Sequence, residues 1–130
     1  MIVHHYGFLT KNIEKSLRTF EKLGYEKTSD LINDSQRGID ILFIESKNNQ
    51  VIELVSPNQP ESVVNSVMKS QVNSIYHICY IVKSLELSIE SLSKKNFVLI
   101  DPPKPAIAFD GKKVAFMMSR HTGIIELLEE

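Results

Sequence analysis

Tryptophan is absent from this chain, and cysteine occurs once in 130 residues, as Cys79. A single cysteine excludes an internal disulfide, which suits a reducing cytosol. Net charge is −1, so electrostatics favour neither a nucleic acid nor a membrane surface as partner. No run approaches the roughly 18 apolar residues of a membrane span. The start, Met1-Ile-Val-His-His, lacks a charged segment followed by a long apolar stretch, so no signal peptide is expected and the expected location is cytoplasmic. Low-complexity segments are also missing. What remains is an ordinary soluble composition, 42% hydrophobic and 24% charged, with enough length for one domain's core. Two halves of about 60 residues would each be marginal alone, so they are expected to pack together or exchange between protomers.

What the chain does have is a repeat. His5-Tyr-Gly-Phe-Leu-Thr-Lys-Asn-Ile-Glu-Lys-Ser-Leu matches His77-Ile-Cys-Tyr-Ile-Val-Lys-Ser-Leu-Glu-Leu-Ser-Ile at an offset of 77 − 5 = 72. Val51-Ile-Glu-Leu-Val matches Ile124-Ile-Glu-Leu-Leu at 126 − 53 = 73. Self-similarity at this period means one supersecondary unit used twice.

Each copy reads in the same order. Ile2 to Leu9 and Ile75 to Val82 are apolar, β-branched strands. Asn12 and Ser84 are helix caps. Ile13, Leu17 and Phe20, then Leu85, Ile89 and Leu92, each form one apolar helical face. Gly24 and Asn96 end those helices where a left-handed residue is wanted. Tyr25 to Leu31 is expected as a second strand and Asn33 to Gly38 as a turn. Ile39 to Ile44 and Val51 to Val55 are strands around a turn at 47–50. In the second copy, Phe97 to Ile100, Val114 to Met118 and Ile124 to Leu128 are strands. Asp101 to Pro105 holds three of the five prolines and is expected to be a loop. Glu61 to Ser70 is expected as a short linker helix. The sum is an α+β protein of two tandem βαβββ modules, about 1–57 and 74–130, joined by a helical linker over 58–73 in a single domain.

The repeat also selects residues for chemistry. Alternation along a strand puts His4 and His5 on opposite faces, and only His5 has a repeat partner, His77. A lone strand histidine is ordinarily a packed or surface residue. A lone strand glutamate such as Glu53, flanked by Ile52 and Leu54, is ordinarily exposed. Finding His and Glu at the same offsets twice is a different matter. Two imidazoles and two carboxylates are a full donor set for one divalent ion such as Zn²⁺, Ni²⁺, Co²⁺ or Mn²⁺, with positions left for water or substrate. Such an ion polarises a substrate oxygen as a Lewis acid, and a nearby carboxylate serves as general base.

These stretches, with Thr122-Gly-Ile-Ile-Glu-Leu-Leu-Glu at the end, resemble the vicinal oxygen chelate (glyoxalase/bleomycin resistance) superfamily over nearly the full chain. The resemblance implies paired modules whose mixed sheet curls around a metal site, with ligands His5, Glu53, His77 and Glu126. Its best-matched members are glyoxalase I, the lactoylglutathione lyase, whose small bacterial form uses His, Glu, His, Glu, and methylmalonyl-CoA epimerase; the glyoxalase I activity is the leading expectation. Methylmalonyl-CoA epimerase is the alternative, although epimerases more typically carry Gln at the second ligand position. Ser56-Pro57 and Gly111-Lys-Lys-Val-Ala-Phe lean that way, and Asp40 aligns with the epimerases' additional acidic residue. Catalytic candidates are therefore Glu126, Glu53 and Asp40. The expected substrate is a small thiol adduct or an acyl thioester, and the expected assembly a homodimer. A third reading is a metal-free ligand-binding or antibiotic-sequestering module. Cys79, two residues after His77, should share its face, with core filling as the plainer role.

Overall fold

A computed structural model describes all 130 residues. Its contacts divide the chain into two compact units, one of His5–Tyr76 and one of Met1–His4 with His77–Glu130. No helix is long and apolar enough to cross a membrane.

The first module contains β1 (Ile2–Leu9), α1 (Ile13–Glu21), β2 (Glu26–Lys27), β3 (Ile32–Asp34), β4 (Ile39–Glu45) and β5 (Val51–Pro57), followed by α2 (Asn65–Gln71). Its strands lie in the order β2-β4-β5-β1, with β3 also on β4. β1 pairs with β5 in parallel, and the other pairings are antiparallel. Helix α1 starts at Ile13 because the Asn12 side chain accepts from the Lys15 N–H at 3.0 Å. It ends before Gly24, which sits at φ +95°, the left-handed conformation glycine adopts without steric cost. The stripe Ile13, Leu17 and Phe20 packs on Leu42, Ile44, Ile52 and Leu54, so one face of β4 and β5 belongs to the helix.

Two expectations for this module are corrected. The segment Tyr25–Leu31 is not one strand, and the region 33–38 is not all turn, because the pairing onto β4 is split into the short strands β2 and β3. The interruption is local. Thr28 N–H donates to the Phe43 carbonyl, but at the next residue it is the Ser29 hydroxyl, not a carbonyl, that accepts from Phe43 N–H at 3.0 Å. A side chain has replaced the ladder. The linker helix is also shorter than the 61–70 span, starting at Asn65 after a turn-rich stretch.

The second module contains β6 (Ser74–Val82), α3 (Leu85–Ser93), β7 (Val98–Pro105), a 3₁₀ turn (Ile107–Phe109), β8 (Lys113–Ser119) and β9 (Gly123–Glu129). The strand order β6-β9-β8-β7 is the same as before, again with one parallel pairing, β6 with β9. Ser84 caps α3 by accepting from Leu87 N–H, and Glu129 accepts from Leu85 N–H at 3.0 Å. Asn96 takes φ +69°, as Gly24 does in the first copy. Val82, Leu85, Ala115, Met117, Ile125 and Leu127 form the core beneath α3, with Ile89 and Leu92 against it.

The proline-rich stretch corrects another expectation. Asp101–Pro105 is part of β7, not a loop. The strand pairs only with β8 and its register shifts on both sides of Asp101. An edge strand with irregular register is where proline, lacking an N–H, is tolerated.

Candidate metal centre

In each module three adjacent strands place the same three residue types. Within the first unit, β1 carries His5 and β5 carries Glu53. Gly7, on the face of His5, is the register partner of Glu53, and Phe43 of β4 is its partner on the other side. His5 is fully buried and Glu53 is 4% exposed, with Nε2 to Oε1 at 3.7 Å. Within the second unit, Cys79 of β6 and Phe116 of β8 flank Glu126 of β9 in the same way. His77 and Glu126 are also buried, with Nε2 to Oε1 at 3.5 Å.

Strand parity puts both pairs on the sheet face away from the helix. Leu42, Ile44, Ile52 and Leu54 take the α1 side, so Glu53 and Phe43 point the other way. Ile125 and Leu127 take the α3 side, so Glu126 points the other way. Each glutamate is therefore carried by a strand whose apolar half fixes its direction. A slip of one residue would bury the carboxylate under the helix, so the core sets the register.

The separations suit shared coordination. Both exceed the usual N–H···O hydrogen-bond range. Two ligands about 2.1 Å from a tetrahedral ion lie roughly 3.4 Å apart, close to the 3.5 and 3.7 Å found. Nitrogen and carboxylate donors fit a borderline divalent ion such as Zn²⁺, Ni²⁺, Co²⁺ or Mn²⁺.

The remaining sequence candidates belong to neither His–Glu pair. His4, on the opposite face of β1 from His5, stands edge-on to Phe109 with centroids 5.5 Å apart. The β4–β5 register runs unbroken from Ile39 to Glu45, so alternation puts Asp40 on the side opposite Phe43 and Glu53. Its Oδ1 there accepts from the amides of Asn33 and Asn58, each at 3.0 Å. Cys79 is fully buried and packs with Ala106, Val114 and Leu128. Phe43 and Phe116 were not among the candidates, yet they stand 116 − 43 = 73 residues apart, the offset already found for the glutamates.

Comparison with protein families decides the affiliation. The model of the Glyoxalase/Bleomycin resistance protein/Dioxygenase superfamily matches residues 4–116. The chain belongs to this superfamily. Among solved structures, hypothetical protein BH1468 from Bacillus halodurans C-125 superposes with a TM-score of 0.84 at 25% identity, covering 98% of this chain and 93% of that one. Methylmalonyl-CoA epimerase from Mycobacterium tuberculosis gives 0.82 at 17% identity, covering 98% and 86%. The Streptomyces coelicolor epimerase, in complex with 2-nitronate-propionyl-CoA, gives 0.81 at 13% identity, covering 100% and 97%. At these identities the epimerases share the glyoxalase-like fold. No curated protein sequence matches. The α+β fold and superfamily expected from the sequence are thus both found.

Proposed function

We propose that this superfamily member is a metal-dependent enzyme that moves a proton between adjacent carbons of a small carbonyl substrate. His5, Glu53, His77 and Glu126 would hold one divalent ion per chain. The observation that carries this reading is the duplicated pair. Each unit buries an imidazole and a carboxylate side by side on the face its helix leaves open. Burying a carboxylate is costly unless it is compensated, and doing so twice at matching positions is not what packing alone selects.

The bound ion supplies Lewis acidity to a substrate oxygen. The chain's residues do the rest. The two imidazoles, neutral when they ligate, leave the carboxylates as the basic groups at the site. Glu126 or Glu53 takes a proton from the carbon beside the carbonyl and returns it to a neighbouring position. Asp40 receives no role, because it projects to the helix side of β4. The leading activity is of glyoxalase I type, lactoylglutathione lyase, since Glu53 occupies the position at which epimerases more typically carry Gln.

Methylmalonyl-CoA epimerase activity is the second reading. It is favoured by the fold neighbours, one of which is an epimerase in complex with methylmalonyl-CoA and NH₄⁺. The same two glutamates would then deprotonate and reprotonate one carbon of an acyl thioester. Elemental analysis of untreated protein tests the shared core, with one divalent ion per chain expected. Parallel assays on the methylglyoxal–glutathione hemithioacetal and on methylmalonyl-CoA separate the two reactions. Glu126→Gln should lower kcat on the true substrate by about 10²–10⁴-fold, the usual contribution of a general base. Protein that contains no metal and takes up none would sink both readings.

A further inference from the structure

We propose that Phe43 and Phe116 are positioning residues for the metal-ligating histidines, setting the imidazole planes from which Nε2 is presented. This rests on the metal reading above. The Phe43 ring meets His5 edge-on, with centroids 5.9 Å apart and planes at 78°. Phe116 meets His77 in the same way, at 5.5 Å and 87°. Each phenylalanine is also the direct cross-strand partner of the glutamate, Phe43 of Glu53 and Phe116 of Glu126. One ring therefore adjoins both members of a pair, twice over.

Packing beneath the helices does not account for the arrangement. The clusters beneath α1 and α3 lie on the helix side of each sheet, whereas these rings stand on the opposite face, where Phe116 also packs against the small cluster of Cys79, Ala106, Val114 and Leu128. Phe43 and Phe116 are half-buried, whereas the histidine and glutamate beside each are buried. A ring at the boundary between buried donors and the open face shields them from water. It also restricts rotation of the imidazole about its last torsion, which is otherwise soft. Edge-to-face geometry is directional, so an aliphatic side chain of similar size fills the space without fixing the plane.

Co²⁺ titration of the metal-free protein, followed by its visible d–d bands, tests this. Phe43→Leu and Phe116→Leu should each weaken Co²⁺ binding by about three- to tenfold, the range expected for one edge-to-face contact. They should also shift the band envelope, while Phe43→Tyr and Phe116→Tyr, which keep the ring, restore both. Met117→Leu, a core change beneath α3, should leave both untouched. Leucine variants with wild-type affinity and spectrum overturn the inference and leave the metal reading intact. Equal weakening by Met117→Leu overturns it too, by showing a general packing effect. Wild-type protein that binds no Co²⁺ overturns the metal reading itself and the inference with it.

Discussion

Metal-linked stability is the sharpest consequence of the duplicated pairs. A ligand that binds only the folded state stabilises it by RT ln(1 + [L]/Kd), about 2.7 kcal/mol at one hundred times Kd. Unfolding entropy is about 2.1 cal/mol/K per residue, so the 130 residues of this chain give about 0.27 kcal/mol/K. Saturating Zn²⁺ or Co²⁺ should then raise Tm by about 10 °C. His77 is 2% exposed and its Nε2 lies 3.5 Å from Glu126, so His77→Ala removes one of the four proposed donors. The expected result, read by differential scanning fluorimetry with and without metal, is a lower Tm for the metal-free variant and almost no metal-induced rise. Met117→Leu, a change beneath α3, is the control, and it should keep the rise. A His77→Ala variant that retains the full shift would refute the assignment of that histidine.

Three other outcomes follow from the packing. Leu54→Ala and Leu127→Ala remove fully buried leucines at equivalent places beneath α1 and α3; urea denaturation should show a loss of about 2–5 kcal/mol for each. Asp40→Ala should cost about 1–2 kcal/mol through its two lost amide contacts and leave kcat on the identified substrate unchanged; a large loss of kcat would restore Asp40 to the reaction. Gly38 holds φ +68° and a Cβ there would meet the Gln59 side chain at 2.7 Å, so Gly38→Ala should lower the urea-derived stability by about 1–2 kcal/mol.

The elements were legible in the sequence where a local cause operates. Asn12 and Ser84 cap helices whose starts they mark, and Gly24 and Asn96 end them in the left-handed conformation. The apolar stripes of both helices found their sheet faces because periodicity encodes direction. Three features were not legible. A hydroxyl replacing a carbonyl at Ser29 depends on what β4 presents opposite it. The prolines of β7 could be strand residues only because no further strand of its sheet follows it, and edge position is a property of the assembled sheet. Met117 and Met118 could not be separated by composition, yet the β8–β9 register buries the first and leaves the second 43% exposed.

The candidate residues divide in the same way. The repeat alone singled out two histidines and two glutamates, since a duplicated module carries its chemistry at duplicated offsets. The sequence also determined which member of the His4–His5 pair to follow, because strand alternation is fixed by backbone geometry. Only the tertiary structure decided that each histidine lies within 3.7 Å of its glutamate, that Asp40 turns to the helix side, and that a phenylalanine stands edge-on to each imidazole. Those facts depend on register between strands far apart in the chain. That register is set by the burial of leucines and isoleucines beneath the helices, not by the polar residues whose directions it determines.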